Sequence, residues 1–325
     1  MTSLLVADIG GTNARFGIWY QDQMRDVQVF KCSDYAGPAT AAAEYLRRVQ
    51  ATSPMPPPRA AAFAIAGPLI DDRVALTNSA WDFSAAATRR ALDLERLILL
   101  NDFTALALSV PQLADSERYQ VGGAAPLTDA PIAVLGPGTG LGVSGLLREG
   151  GRWLALQGEG GHVTLPPVST REMAVVRALH RDYAHVSAER VLCGDGLELL
   201  YRTLATLDGV SVDALKASEI TARALQRADA RCQETLELFC GWLGNVAGNL
   251  ALTLGARGGI YIGGGIVPRL GGYFASSPFR ERLEAKGRFA KFLSAVPAYV
   301  ITAQYPALVG CVQAFEHSSP RIVAG

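Results

Sequence analysis

Residues 4–20 read "LLVADIGGTNARFGIWY", two apolar runs around Gly10-Gly11-Thr12-Asn13. Glycines after a first strand commonly bind a nucleotide, and the nucleotide folds most often built that way continue into a helix. Here Arg15-Phe16-Gly17-Ile18-Trp19-Tyr20 is rich in aromatic and β-branched residues and predicts a second strand instead. The glycines therefore sit at a hairpin tip. The arrangement returns once. Pro131–Leu135 predicts a strand, Gly136-Pro137-Gly138-Thr139-Gly140 a glycine-rich turn, Leu141–Leu147 a second strand and Trp153–Leu156 a third. Two α/β units, each opening on a hairpin with a Gly-Thr turn, predict an internal duplication.

The rest of the chain fills in around these hairpins. A third strand is expected at Val27–Cys32, an Ala-rich helix at Ala39–Ala51, and a stiff connector at Pro54 and Pro56–Pro58. Strands follow at Ala60–Ala66 and just after Asp71-Asp72. Residues 77–84 ("TNSAWDFS") read as a loop with Ser84 as a helix N-cap, then come a strand at Leu97–Leu100 and a helix at Phe103–Val110. In the second half, helical sequence runs from Ser169 to about Leu254. Strands are expected at 259–263, before "GGGIVP", and at 298–302, with a last helix from about Pro306.

Composition narrows the function classes. In 325 residues, 49% are hydrophobic and 18% charged, which supports a large core and about two domains. No apolar run reaches the ~18 residues that span a bilayer, and the N-terminus lacks a basic leader, so the chain reads as cytoplasmic. Thirty basic and thirty acidic residues cancel without like-charge blocks, which argues against nucleic-acid and membrane-surface binding. Five cysteines without a C-x-x-C pair point to reduced thiols rather than a disulfide frame or a zinc site, and four scattered histidines form no metal pair. Two motif matches lack their context. "GLGVSG" (140–145) has no helix after it, and "HRD" (180–182) falls in a helical stretch without the other kinase motifs. No P-loop is present.

Several candidate residues remain. Backbone N–H groups of a tight turn, unshielded by Cβ, form a concave anion site, and a Thr hydroxyl adds a donor. One such turn is an ordinary hairpin; two at matching places suggest a pair of clamps on one polyphosphate. Asp8, just before the first turn, is costly beside phosphates unless a cation shares the site, which favours an indirect Mg²⁺ role through water, without direct ligation, over a direct sugar contact. Asn101-Asp102 ends an apolar strand, where side chains meet the crevice of an open α/β sheet; Asp102 reads equally as a helix cap. In "GEGGH" (158–162) two glycines let Glu159 and His162 converge on a small ligand. Glu189 stands at an expected helix start, where the dipole alone favours a carboxylate.

Together, "DIGGTNAR", "TNSAW", "NDFTA", "GPGTGLGV", "GEGGHV", "HVSAERVL" and "GGIVPR" make the chain closely similar, from about residue 4 to 315, to the bacterial glucokinase family. That family lies within the hexokinase-related, actin-like ATPase superfamily. The Cys-rich zinc motif of a related sugar-kinase group is absent. The resemblance implies an α/β fold of two ribonuclease-H-like domains flanking a cleft, 1–110 plus 305–325 and 111–304, and a homodimer. It implies a first phosphate loop at Gly10, Gly11, Thr12 and Asn13, with Asp8 beside it, and a second at Gly138, Thr139 and Gly140. Gly264 and Gly265 resemble an adenosine-contacting turn. Asn101, Asp102, Glu159, His162 and Glu189 match a hexose-binding set with Asp102 the catalytic base. The implied activity is phosphorylation of D-glucose by ATP with Mg²⁺. A kinase for mannose, fructose or N-acetylglucosamine is the near alternative. A non-catalytic sugar sensor would be expected to carry an added DNA-binding segment ahead of the first strand, and an actin- or chaperone-like ATPase would not need the sugar set. The tail "HSSPRIVAG" has no counterpart and is expected to fray.

Overall fold

The computed structural model describes residues 3–53, 55–67, 69–70, 72–76 and 81–317. Residues 77–80 of the expected loop and 318–325 of the expected fraying tail lie outside them. The chain divides into two compact units, one of residues 1–113, 152–157 and 303–325, the other of 114–151 and 158–302.

In the first unit, β1 (Leu4–Ile9), β2 (Asn13–Tyr20) and β3 (Gln23–Lys31) form an antiparallel meander, followed by α1 (Pro38–Thr52). β4 (Ala60–Ile65) and a later strand, β8 (Arg96–Asn101), continue the sheet in parallel, giving the order β3-β2-β1-β4-β8. Between them, β5 (Leu69–Ile70), β6 (Arg73–Ala75) and β7 (Asp82–Ser84) make a separate three-stranded sheet where one short strand was expected. Helix α2 (Ala85–Ala91) starts there, and the Ser84 side chain accepts the Ala87 N–H as its cap. β1, β4 and β8 read as continuous apolar runs because both faces of a parallel sheet are covered. Leu5, Ala7 and Ile9 join one core with Phe16, Phe30, Tyr45 and Phe63. Leu4 and Val6 join another with Ile98, Leu100, Leu308 and Val312.

The last two of those residues come from α11 (Pro306–His317), which crosses α3 (Asp102–Ser109) over the second face of the sheet. The Cys311 thiol donates to the Ala7 carbonyl at 3.4 Å. Gly310 makes the crossing possible, since a Cβ there would stand 1.7 Å from the Ala105 carbonyl oxygen. Neither backbone can yield without separating the helices. Gly310→Ala should therefore cost about 3 kcal/mol, near the upper end for overpacking. Thermal melting of the variant checks this; an unchanged Tm would contradict the close crossing.

The second unit repeats the scheme. Its sheet runs β11-β10-β13-β14-β9, from β9 (Arg118–Gln120), β10 (Ile132–Pro137), β11 (Leu141–Glu149), β13 (Ile260–Ile262) and β14 (Ala298–Ile301), while β12 (Arg152–Gln157) falls among the first unit's residues. β10 and β11 are antiparallel, while β10, β13 and β14 are parallel. The order β11-β10-β13-β14 thus follows β2-β1-β4-β8 of the first sheet. The added edge strand β9, antiparallel to β14, was not expected from sequence. Helices α4 (Thr170–Leu179), α5 (Gly194–Leu207), α6 (Ala217–Leu225) and α7 (Ala230–Leu254) supply much of the core, with Phe239, Trp242 and Leu243 of α7 fully buried. Three short helices, α8 (Gly272–Ser276), α9 (Phe279–Glu284) and α10 (Ala290–Ala295), precede β14. "HRD" lies in the turn after α4 rather than within a helix, and "GLGVSG" lies on the turn and β11. All five cysteines are free and buried.

Candidate active site

Ile9, Ile65 and Asn101 are register partners at the carboxyl ends of β1, β4 and β8. Adjacent strands lie about 4.8 Å apart, so the chain leaves β1 at Gly10 and β8 at Asp102 about 10 Å apart, on the same edge of the sheet. The Gly10 N–H donates to the Asn13 carbonyl at 3.0 Å and closes the turn. Cys32 braces it from β3's end: its N–H donates to the Thr12 carbonyl at 2.9 Å and its thiol to the Gly10 carbonyl at 3.3 Å. With those carbonyls held inward, Thr12 is exposed at the tip.

Asp8 faces Arg15 across the hairpin, and Arg15 Nη1 donates to Asp8 Oδ2 at 2.9 Å. Burial raises the Asp8 carboxyl above the ordinary carboxylate range, and the Arg15 charge opposes that shift. The cation that sequence reasoning asked for beside Asp8 is thus in part supplied by the protein.

Asn101, not Asp102, is the cap of α3. Its Oδ1 accepts the N–H groups of Phe103 at 2.9 Å and Thr104 at 3.1 Å. Asp102 is the first helical residue; its Oδ1 accepts the Phe103 N–H at 2.9 Å and its side chain is half-buried. A carboxylate there is favoured by the positive end of the helix dipole.

The second unit assembles the other candidates. The turn between β10 and β11 closes through Gly138 N–H to the Gly140 carbonyl at 2.8 Å, and Gly194 N–H at the start of α5 donates to the Gly138 carbonyl at 2.9 Å. Thr139 is exposed, as Thr12 is in the first turn. The Gly263-Gly264-Gly265 turn lies directly against this one. A Cβ on Gly136 would stand 2.4 Å from the Gly263 carbonyl carbon, and Gly264 adopts φ +78° with its Cβ position 2.3 Å from the Pro137 oxygen. Only glycine fits there on both counts.

The "GEGGH" loop packs on β11. A Cβ on Gly161 would stand 2.1 Å from the Leu141 oxygen, and one on Gly160 2.7 Å from Val143 Cγ1. The glycines serve this close docking, and Glu159 and His162 on either side of them are exposed. Glu189 lies in a turn ahead of α5, which corrects the expected helix start. Its N–H donates to the Gly161 carbonyl at 2.8 Å and the Ala188 N–H to the Val163 carbonyl at 2.8 Å, so these bonds to the loop replace helical ones. The Glu189 Oε2 accepts the Leu141 N–H at 2.8 Å, and His162 Nδ1 is 3.9 Å from Glu189 Oε1.

Within the first unit the structure thus gathers Asp8, Gly10–Asn13, Asn101 and Asp102 along one sheet edge. Within the second it links Gly138–Gly140 to Gly264–Gly265 on one side and to Glu189, His162 and the Glu159 loop on the other. Sequence reasoning missed Arg15, Cys32, Gly136 and Gly194. Among the described residues no three His, Cys, Asp or Glu side chains cluster as a metal cage. No helix among them is long and apolar enough to cross a membrane.

Comparison with known proteins accords with this geometry. A family profile described as Glucokinase matches residues 5–318. The chain belongs to the glucokinase family. It is 51% identical over 319 residues to the glucokinase of Chromobacterium violaceum, covering 98% of this chain and 90% of that protein. With the glucokinase of Neisseria meningitidis serogroup C it shares 49% identity over 314 residues, covering 96% and 94%. The crystal structure of a glucokinase from an Antarctic psychrotroph superposes with a TM-score of 0.87 at 34% identity, covering 98% of this chain and all of that one. The α/β architecture is that of the actin-like ATPases, as expected of a glucokinase-family chain.

Proposed function

We propose that the protein transfers the γ-phosphoryl group of ATP to the 6-hydroxyl of D-glucose. The observation that carries this reading is the shared sheet edge, where Asp102 follows β8 and the Gly-Gly-Thr turn follows β1, two strands apart. Membership of the glucokinase family supports it. Asp102 accepts the proton of the attacking hydroxyl, whose attack forms the new P–O bond as the bond to ADP breaks. Asn101, Glu159, His162 and Glu189 hold the remaining hydroxyls, each of which needs a partner once it leaves water. Gly10, Gly11, Thr12, Asn13, Gly138, Thr139 and Gly140 bind the phosphates, and Gly264 and Gly265 meet the adenosine.

The nucleotide is taken as its Mg²⁺ complex. Asp8 suits an ion held through water: it is a single carboxylate at a strand end, already shared with Arg15. The ion would offset phosphate charge as transfer proceeds. We take the enzyme to act as a homodimer in the cytoplasm, at the entry of glucose into glycolysis, with functional domains 1–110 plus 305–325 and 111–304.

Steady-state turnover with ATP across glucose, mannose, fructose and N-acetylglucosamine tests the sugar assignment. The expected result is a kcat/KM for glucose at least about fivefold above each of the others, since a buried hydroxyl without its partner costs about 1–3 kcal/mol. A higher value for another hexose would reassign the substrate.

A further inference from the structure

We propose that Glu189 links the sugar site to the second phosphate turn, so that a bound hexose tightens the Gly138-Thr139-Gly140 turn before the nucleotide arrives. The inference rests on the proposed roles of Glu189 and of that turn, and adds a coupling between them.

The carboxylate has two working ends. Oε2 accepts the N–H of Leu141, the residue directly after the turn, at 2.8 Å. Oε1 lies toward His162, whose Nδ1 is 3.9 Å away, a gap too long for a direct hydrogen bond. That end is where a sugar hydroxyl would be held. The Glu189 backbone is fixed by its N–H bond to the Gly161 carbonyl at 2.8 Å, but its side chain is 33% exposed, so burial alone does not fix its rotamer. A hydroxyl donating to Oε1 immobilises the same carboxylate and keeps Oε2 on Leu141. The turn is otherwise held at Gly138, whose N–H reaches the Gly140 carbonyl at 2.8 Å and whose carbonyl accepts the Gly194 N–H at 2.9 Å. Glu189 is thus the brace on its far side.

Gly140 shows how tightly the two are fitted. A Cβ there would stand 2.5 Å from Glu189 Oε2 and 3.3 Å from its Cδ. The obstructing atoms are the end of a flexible side chain, so Gly140→Ala should fold and instead push the carboxylate off Leu141. Gly272→Ala, at the start of α8, adds the same methyl group into open space and leaves Glu189 alone.

Coupling between binding sites is reciprocal, and typical values begin at about fivefold. Calorimetry on the full chain, with glucose and with the unreactive ATP analogue AMP-PNP plus Mg²⁺, reads it directly. Saturating AMP-PNP should tighten glucose binding by about fivefold or more in the wild type. Gly140→Ala should weaken glucose binding by about fivefold or more with no nucleotide present and largely abolish the coupling, whereas Gly272→Ala should leave nucleotide-free glucose affinity within about twofold. Hydrogen exchange on the wild type needs no variant: glucose alone should slow exchange at amides 138–141. Bound glucose with unchanged exchange there, or Gly140→Ala that binds nucleotide-free glucose as the wild type does, overturns the link. Absence of any glucose binding by the wild type overturns the proposed function, and this link with it.

Discussion

Asp102→Asn should lower kcat by about 10²–10⁴-fold, the range for loss of a general base, while glucose Kd stays within a few-fold. Phosphoryl transfer is mostly positioning and charge stabilisation, yet the attacking hydroxyl must still lose its proton. Asparagine keeps the size of the side chain and can accept the Phe103 N–H as Asp102 Oδ1 does, but it cannot accept a proton. The cap of α3 rests on Asn101, so the helix start survives the substitution. Measured kcat with ATP, together with calorimetric glucose Kd, decides the matter. A variant that keeps more than about a tenth of the rate loses too little for a general base.

Glu189→Ala should raise the glucose KM by about 10- to 100-fold, and His162→Ala by a smaller factor, with kcat at saturation changed only a few-fold. Both hold hydroxyls remote from the reacting one, and such uniform binding is read in KM. Glu189→Ala carries the larger effect because it also strips the Leu141 N–H of its acceptor, and an unpartnered buried donor costs roughly 1–3 kcal/mol. The ATP KM should rise with it. A large fall in kcat at unchanged glucose KM would contradict both assignments.

Much of this was legible because local chemistry and global fold agree. Arg15 to Tyr20 could only continue as a strand, and that fixed the hairpin; once the turn closes at Gly10–Asn13, Asp8 must oppose Arg15. The Gly-Thr repeat announced the duplication that the two sheets display. What escaped depends on contacts distant in sequence. Nothing near Gly310 tells that its partner is Ala105, so α11's packing on the first sheet came only through family resemblance. "SAERVL" has good helix formers, but backbone bonds to Gly161 and Val163 override them around Glu189. Asn and Asp cap helices about equally well, so the reading of Asp102 as a cap had nothing to warn that Asn101 takes that place; the geometry shows it. The glycines of "GEGGH" were read as freedom to converge, whereas Gly160 and Gly161 mark close docking on β11. β9, three residues long, is too short for any alternation to show.

In the proposed function, phosphate passes from ATP to glucose at the sheet edge that carries Asp102 and the Gly-Gly-Thr turn. Incubating the purified protein with glucose and Mg²⁺–ATP and following the products by phosphorus NMR tests it most directly. Glucose 6-phosphate and ADP are expected in equal amounts. ATP broken down to ADP and inorganic phosphate with the sugar untouched, or no consumption of ATP at all, would contradict it.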